Sequence, residues 1–330
     1  MNIDRRSIAL ITALTLSLGC GDEESLPAAD GGDPTPETME PEGETPPTNE
    51  IGPYSACEAA DHVGTLTVKL TSEFTSVQGQ VADAVRPIDV PDVTAEEGEC
   101  RLVQPPQLFC DPPCGGGTTC SADGTCVPLS SNQDVGKIVF TGLTDPVEIE
   151  ARAPTFFYNF IGTLTHPGFD TDSEVFLNAS GGSIAAFSMG TRGVEALESS
   201  METAALEPGQ GVPLTWTAGP SSEAVKVELE LNIANHGGTP AKIECVVDDT
   251  GQFLIPAVLT DQLLELGFSG FPSLRIARQG AASAETDHGC VDLRVKSELV
   301  LDVEIPGLTS CSLNEDCPEG QVCLLDLTCG

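Results

Sequence analysis

Apolar and polar residues alternate with a period of two along much of the chain. The stretches Val63–Leu70 and Thr75–Val81 show it first, and Val135–Gly142 opens on the same Val-Gly pair as Val63. Shorter runs follow at Val147–Ala151, Phe156–Leu164, Glu174–Ala179 and Ser183–Met189, separated by Pro, Gly and Asp. Beyond Pro208–Gly211 come Val212–Thr217, Ala224–Ile233, Ala241–Val247, Gln252–Ile255, Ser273–Ala277 and Cys290–Val295, then Leu299, Leu301, Val303 and Ile305 at alternate places. Ala224–Ile233 is the cleanest, with Val225, Val227, Leu229, Leu231 and Ile233 on one side and Lys226, Glu228 and Glu230 on the other. This periodicity, with its β-branched enrichment, predicts strands buried on one face. Val258–Leu266 does not alternate and predicts one short helix. The expected fold is all-β.

Turn signals at 208–211 divide it into two β-sandwich-like domains, 53–205 and 206–307. In length and strand spacing the second resembles an immunoglobulin-like sandwich. It departs from the usual cysteine–tryptophan–cysteine order, since Trp216 precedes both Cys245 and Cys290. The aromatic run Thr155–Phe160 reads as a core strand, the alternative being an exposed binding surface.

Cysteine changes the picture most. There are 13, and two groups of four lie in segments with little to build a core: Cys110, Cys114, Cys120 and Cys126 within 105–130, and Cys311, Cys317, Cys323 and Cys329 within 308–330. The groups form an internal repeat. Their last three cysteines are spaced by six, a glycine stands three places before the middle one (Gly117, Gly320), and a threonine precedes the last (Thr125, Thr328). The first cysteine is offset by four residues in one copy and six in the other. These segments resemble the EGF-like or dickkopf-like cysteine knuckles of secreted proteins, small modules stapled because they cannot bury a core. On that reading the first cysteine pairs with the third and the second with the fourth: Cys110 with Cys120, Cys114 with Cys126, Cys311 with Cys323 and Cys317 with Cys329. The alternative, a four-cysteine zinc site, usually has tighter gaps. Cys57 and Cys100 bracket the first strands and are a plausible pair, and Cys245 and Cys290 would join two strands of the second domain.

Residues 1–19 carry a net basic start at Asp4, Arg5 and Arg6, an apolar run over Ser7–Leu18 too short to span a bilayer, and then Gly19 before Cys20. The ending resembles the lipobox of bacterial lipoproteins, in which the cysteine becomes the lipid-modified first residue. Ser17 and Leu18 stand where the commonest form has Leu and a small residue. Setting Cys20 aside leaves twelve cysteines, an even number suited to disulfides in an oxidising compartment. Residues 20–52 are rich in Pro, Glu, Gly and Thr and almost free of large apolar side chains, which predicts a lipidated, acidic, disordered linker.

Charge narrows the function. The chain has 51 acidic and 14 basic residues, a net of −37; residues 51–330 hold 40 acidic and 12 basic, a net of −28. Such a field repels phosphate backbones and excludes a nucleic-acid partner. The four histidines (His62, His166, His236, His288) are scattered, and no nucleophile elbow, metalloprotease pair, phosphate loop or dinucleotide fingerprint occurs. Asp170, Asp172 and Glu174 place carboxylates at alternate positions, a spacing suited to Ca²⁺, against the ordinary reading of a solvated turn. Asp248, Asp249 and Gly251 read as a hairpin turn. No other cofactor is expected. The sequence therefore predicts a non-catalytic protein held by a palmitate-type lipid to a bacterial membrane, facing an oxidising space. Its role would be envelope structure or the binding of an envelope or extracellular protein or glycan. The alternative is a secreted, metal-assisted hydrolase with a loop-built site.

Overall fold

The computed structural model describes residues 51–234 and 239–330. The expected signal segment, Cys20, the linker up to residue 50 and His236 lie outside them. The first half contains β1 (His62–Leu70), β2 (Thr75–Val81), β3 (Asp92–Glu97), β4 (Cys100–Gln104), β5 (Thr118–Cys120), β6 (Cys126–Pro128), β7 (Ile138–Thr141), β8 (Val147–Ile149), β9 (Tyr158–Asn159), β10 (Glu174–Ala179), β11 (Phe187–Arg192) and β12 (Thr203–Ala205). The second contains β13 (Val212–Thr215), β14 (Val225–Asn232), β15 (Lys242–Val247), β16 (Gln252–Ile255), α1 (Ala257–Glu265), β17 (Ser273–Thr286) and β18 (Gly289–Glu304). The fold is all-β apart from α1 and two short 3-10 turns.

A ten-stranded sheet dominates, in the order β3-β4-β15-β14-β17-β18-β1-β2-β9, with β12 also pairing β18. A four-stranded sheet, β11-β10-β7-β8, and two ribbons, β13-β16 and β5-β6, complete the set. The axis is the β17–β18 hairpin, whose strands run 14 and 16 residues. β14 flanks it antiparallel through Val225↔Gly280 to Asn232↔Ser273, and β1 flanks it parallel through His62↔Cys290 to Leu70↔Ser297.

The division expected at 205/206 separates neither sheets nor cores, because each core draws on residues from both sides of it. One core packs Leu66, Val68, Val77 and Val81 with Val291, Leu293 and Val295 of β18 and with Phe140, Val175 and Leu177 of the four-stranded sheet. The other packs Val227, Leu229, Leu231, Ile243, Leu274, Ile276 and Leu301 with Leu214, Trp216 and Ile255, and with Leu259 and Leu263 one helical turn apart on α1. Each buried aliphatic side chain contributes about 1.5–3 kcal/mol. The hairpin belongs to both cores, so residues 206–307 do not close as an independent immunoglobulin-like sandwich: β18 is paired by β1 and β15 by β4.

Between the cores the hairpin's inner face turns polar. Arg278 and Ser297 stand opposite one another in register, and Arg278 is 1% exposed. Its guanidinium donates to Asp249 Oδ2 (2.6 Å), to the Glu195 and Ala196 carbonyls (both 3.2 Å) and to the Thr217 carbonyl. Asp249 also accepts from the Trp216 indole (2.7 Å) and the Gly219 amide (3.1 Å), while Ser297 accepts from the Leu197 amide (3.0 Å). A buried charge persists only when paired and fully hydrogen-bonded, and this one is. The expected turn at 248–251 is present, with Gly251 at φ +84°, but Asp249 turns inward to serve Arg278. One step along, a Cβ at Gly280 would lie 2.6 Å from the Arg192 carbonyl, so only a bare backbone lets β11 cross β17 this closely.

The aromatic run splits. Tyr158 is fully buried, its hydroxyl donating to the Gly136 carbonyl (3.0 Å) and accepting from the Val135 amide (2.9 Å), whereas Phe157 is 42% exposed.

All twelve cysteines from Cys57 on are bonded. Both modules pair first with third and second with fourth, as the knuckle resemblance implies, and no thiolates remain there for zinc. The other two bonds correct the expected pairs: Cys57 joins Cys290 and Cys100 joins Cys245. Strand order is the reason. Cys100 stands directly opposite Cys245 in the β4–β15 ladder. Cys290 stands beside His62 at the start of the parallel β1–β18 pair, and the turn from Glu58 to Asp61 brings Cys57 back over it.

Candidate functional site

The outward face of the large sheet is the candidate site. Alternate residues of a strand point to opposite faces, so placing Leu229, Ile276 and Leu293 in the cores sends Lys226, Glu228, Glu230, Arg275, Asp292, Arg294, Lys296 and Glu298 outward. Lys69, Arg101, Lys242 and Glu244 extend the face. It carries seven of the twelve basic residues in 51–330. The strap 54–59 and the 96–99 turn between β3 and β4 wall it into a trough of about 1000 Å³, which runs into a smaller hollow of about 490 Å³ beside Ile88 and Pro105.

Its floor is a lattice of ion pairs crossing six strands. Arg101 meets Glu244 (3.0 Å), Lys242 bridges Glu244 (2.8 Å) and Glu230 (2.7 Å), Arg275 joins Glu230 (3.2 Å) to Glu298 (4.0 Å), and Lys69 and Lys296 (2.9 Å) close on Glu298. A shorter branch links Glu228 to Arg294 (3.0 Å) and Arg294 to Asp292 (2.9 Å). The strap is fastened over this branch. Tyr54 donates to Glu228 (3.2 Å) and accepts from Gln279 (2.7 Å), the Cys57 amide donates to the buried Asp292 (2.8 Å), and Cys57–Cys290 makes the attachment covalent.

The lattice fixes its own charge. Burial raises the Glu230 carboxyl, but Lys242 and Arg275 outweigh it and hold the group below the ordinary carboxylate range. Glu298 is depressed in the same way, burial being overcome by Lys69 and Lys296. Burial lowers Lys242, yet Glu230 and Glu244 leave it raised; burial likewise lowers Arg294, and Glu228 and Asp292 reverse the sign. Burial, then Glu228, pushes the Tyr54 phenol well above its usual range. These five groups therefore stay in fixed protonation states at neutral pH. The trough is suited to recognising charge, and none of the five is poised to exchange a proton there.

The described histidines do not converge. His166 approaches Thr75 (3.4 Å) and His288 contacts the Asp83 carbonyl (3.0 Å). His62 Nε2 contacts Thr65 (2.8 Å) and lies 3.7 Å from Asp292. A relay from acid through imidazole to hydroxyl uses both ring nitrogens; here one nitrogen faces both partners.

The carboxylates expected to suit Ca²⁺, Asp170, Asp172 and Glu174, are not drawn together. Among the described residues, the groups of three ligand atoms lying within 4.8 Å of one another do not include this set. Arg192 takes the place of a cation, 3.7 Å from Asp172 and 3.4 Å from Glu174. One set that does converge, Cys57, Cys290 and Asp292, has its sulfurs already bonded to each other.

The lattice was visible in the sequence only as charged residues at the outward places of Ala224–Ile233 and of residues 292–298. That they join into one network depends on strand order, which no local pattern shows. No family model and no curated protein matches this chain. Six disulfides among the described residues fit an oxidising, non-cytoplasmic space. No helix among those residues is long and apolar enough to cross a membrane.

Proposed function

We propose that this chain is a non-catalytic, lipid-anchored protein of a bacterial cell envelope. Cys20 is the lipidated residue, residues 20–52 are the tether, and the charged trough binds an envelope or extracellular protein or glycan. The observation that carries the binding role is the fixed-charge lattice, walled by the strap 54–59. The lipobox-like ending at Cys20 supports the anchor, and the even set of twelve bonded cysteines supports it indirectly.

Metabolic labelling with a palmitate analogue tests the anchor. Wild type should take up label and Cys20→Ala should not; an unlabelled wild type, or equal labelling of both, overturns it. The non-catalytic reading fails if purified 53–330 hydrolyses ester or peptide model substrates and His62→Ala abolishes that activity. The binding role predicts that Arg275→Glu with Lys242→Glu abolishes capture of envelope components by 53–330; unchanged capture overturns the trough as the site.

A further inference from the structure

We propose that the tip of the C-terminal module docks a cationic segment of another protein through apolar side chains. The two modules supply an internal control. In the first, the Ser121 amide donates to the Thr125 carbonyl (2.9 Å) and the Gly124 amide to the Ser121 carbonyl (3.0 Å); in the second, Leu324 donates to Thr328 (2.9 Å) and Leu327 to Leu324 (3.1 Å). Asp123 Oδ1 accepts from the Thr125 amide (3.1 Å) and hydroxyl (2.7 Å), and Asp326 Oδ1 accepts from those of Thr328 (3.2 and 2.8 Å). Gly124 has φ +76° and Leu327 has φ +60°. The disulfide pairing is the same.

The shared frame thus consists of cysteines, an Asp, a Thr and one left-handed residue. Where the second module has Leu324, Leu325 and Leu327, the first has Ser121, Ala122 and Gly124. The frame closes without leucine, and at 327 leucine occupies a backbone conformation that favours glycine. Yet Leu324 is 45% exposed, Leu325 102% and the neighbouring Val322 51%. Apolar side chains that folding does not need, left in water on a turn, gain by being covered.

Charge selects the covering partner. Glu315, Asp316, Glu319 and Asp326 surround these residues in sequence, and residues 308–330 contain no Lys, Arg or His. A second copy would bring the same negative charge, and anionic lipid would be repelled as well. A segment with both basic and apolar side chains satisfies both features. The tip shares no lining residue with the trough, and it does not depend on the anchor.

The oxidised chain would be titrated at physiological salt with two labelled peptides of equal charge, one of Lys and Leu, the other of Lys and Ser. The Lys/Leu peptide should bind about tenfold or more tighter. Leu324→Ser with Leu325→Ala, which installs the residues of the first module, should erase that preference while the mass of the oxidised form still shows six disulfides. Equal binding of the two peptides, or a preference surviving in the variant, overturns the proposal. Stronger binding to anionic vesicles, or self-association lost in the variant, overturns it in favour of lipid or of a second copy.

Discussion

The two cores share one hairpin but are closed by different means. Around Leu66, Phe140, Leu177 and Leu293 a sheet packs on a sheet, with no disulfide among the core residues. Around Leu229, Ile276 and Leu214 the same large sheet is covered by a helix and a two-stranded ribbon, and the core includes Cys100 and Cys245. Between them, the inner face of β17–β18 is interrupted by Arg278 and Ser297. Apolar packing is non-directional, so a continuous apolar face would let the covering layers slide along the hairpin. A saturated guanidinium is directional: it holds residues 195–196, 217 and 249 at one place. The difference between the cores thus depends on a polar layer that keeps their two covers apart.

The largest effect should come from that layer. Arg278→Ala leaves Asp249 buried without its cation and strands three backbone carbonyls, and removing one partner of a buried pair costs about 3–5 kcal/mol. Urea unfolding followed by Trp216 fluorescence would show a much lower midpoint. A loss below about 1 kcal/mol would mean that the layer does not couple the cores.

Next come the two long-range disulfides. Replacing Cys100 and Cys245 by serine opens a loop of 145 residues and places two hydroxyls in a core; a loss of about 2–4 kcal/mol is expected, read by thermal unfolding. Replacing Cys57 and Cys290 acts on the outer face instead. Its signature should be faster amide exchange over 54–59 with the cores still protected. Equal deprotection of the helix-covered core would show that the strap is part of that core.

The helix-covered core was the more legible of the two. The alternation over Ala224–Ile233 returned as β14, and the non-alternating Val258–Leu266 returned as α1, shifted by one residue. The same reading stopped at Ala277 because β17 continues through Arg278, Gln279, Gly280 and Ala281. Close crossing by β11 requires the bare backbone of Gly280, and the buried Arg278 and Gln279 are polar, so this stretch carries no apolar periodicity. β3 was missed because Asp92–Glu97 is an edge strand with no fully buried residue. The parallel pairing of β1 with β18 joins residues more than 220 apart, so both the shared sheet and the Cys57–Cys290 bond lay beyond any local pattern. The modules were readable through their pairing because there the cysteine spacing is itself the structure.

Acid should separate the faces of the sheet from its cores. Glu230 and Glu298 have folded values below their ordinary 4.5, so their stabilising contribution is present above that pH and is lost as pH falls through the depressed values. Lys242 is raised above 10.5, so its contribution is present below 10.5 and is lost as pH rises through the higher folded value. Midpoints should therefore fall at both ends, and Glu230→Gln with Glu298→Gln should flatten the acid limb. An unchanged acid limb in that variant would assign the loss to carboxylates elsewhere.

The smallest effect tests whether the lattice is more than a collection of surface pairs. Lys137 and Glu148 form a pair at 3.1 Å on the four-stranded sheet, with side chains 44% and 60% exposed. Glu148 has no second basic partner among the described ion pairs, so each side chain bears the full entropy of being held. Glu148→Gln should change stability by less than about 0.5 kcal/mol. Glu230 is shared by Lys242 and Arg275, which are also held by Glu244 and Glu298, so less freedom is lost for each bond formed. Glu230→Gln should therefore cost about 1–2 kcal/mol at neutral pH. Added salt should shrink the exposed pair's contribution first, since half-buried charges are screened less. Equal losses for the two substitutions, with equal salt dependence, would show that the trough floor carries only ordinary surface charge.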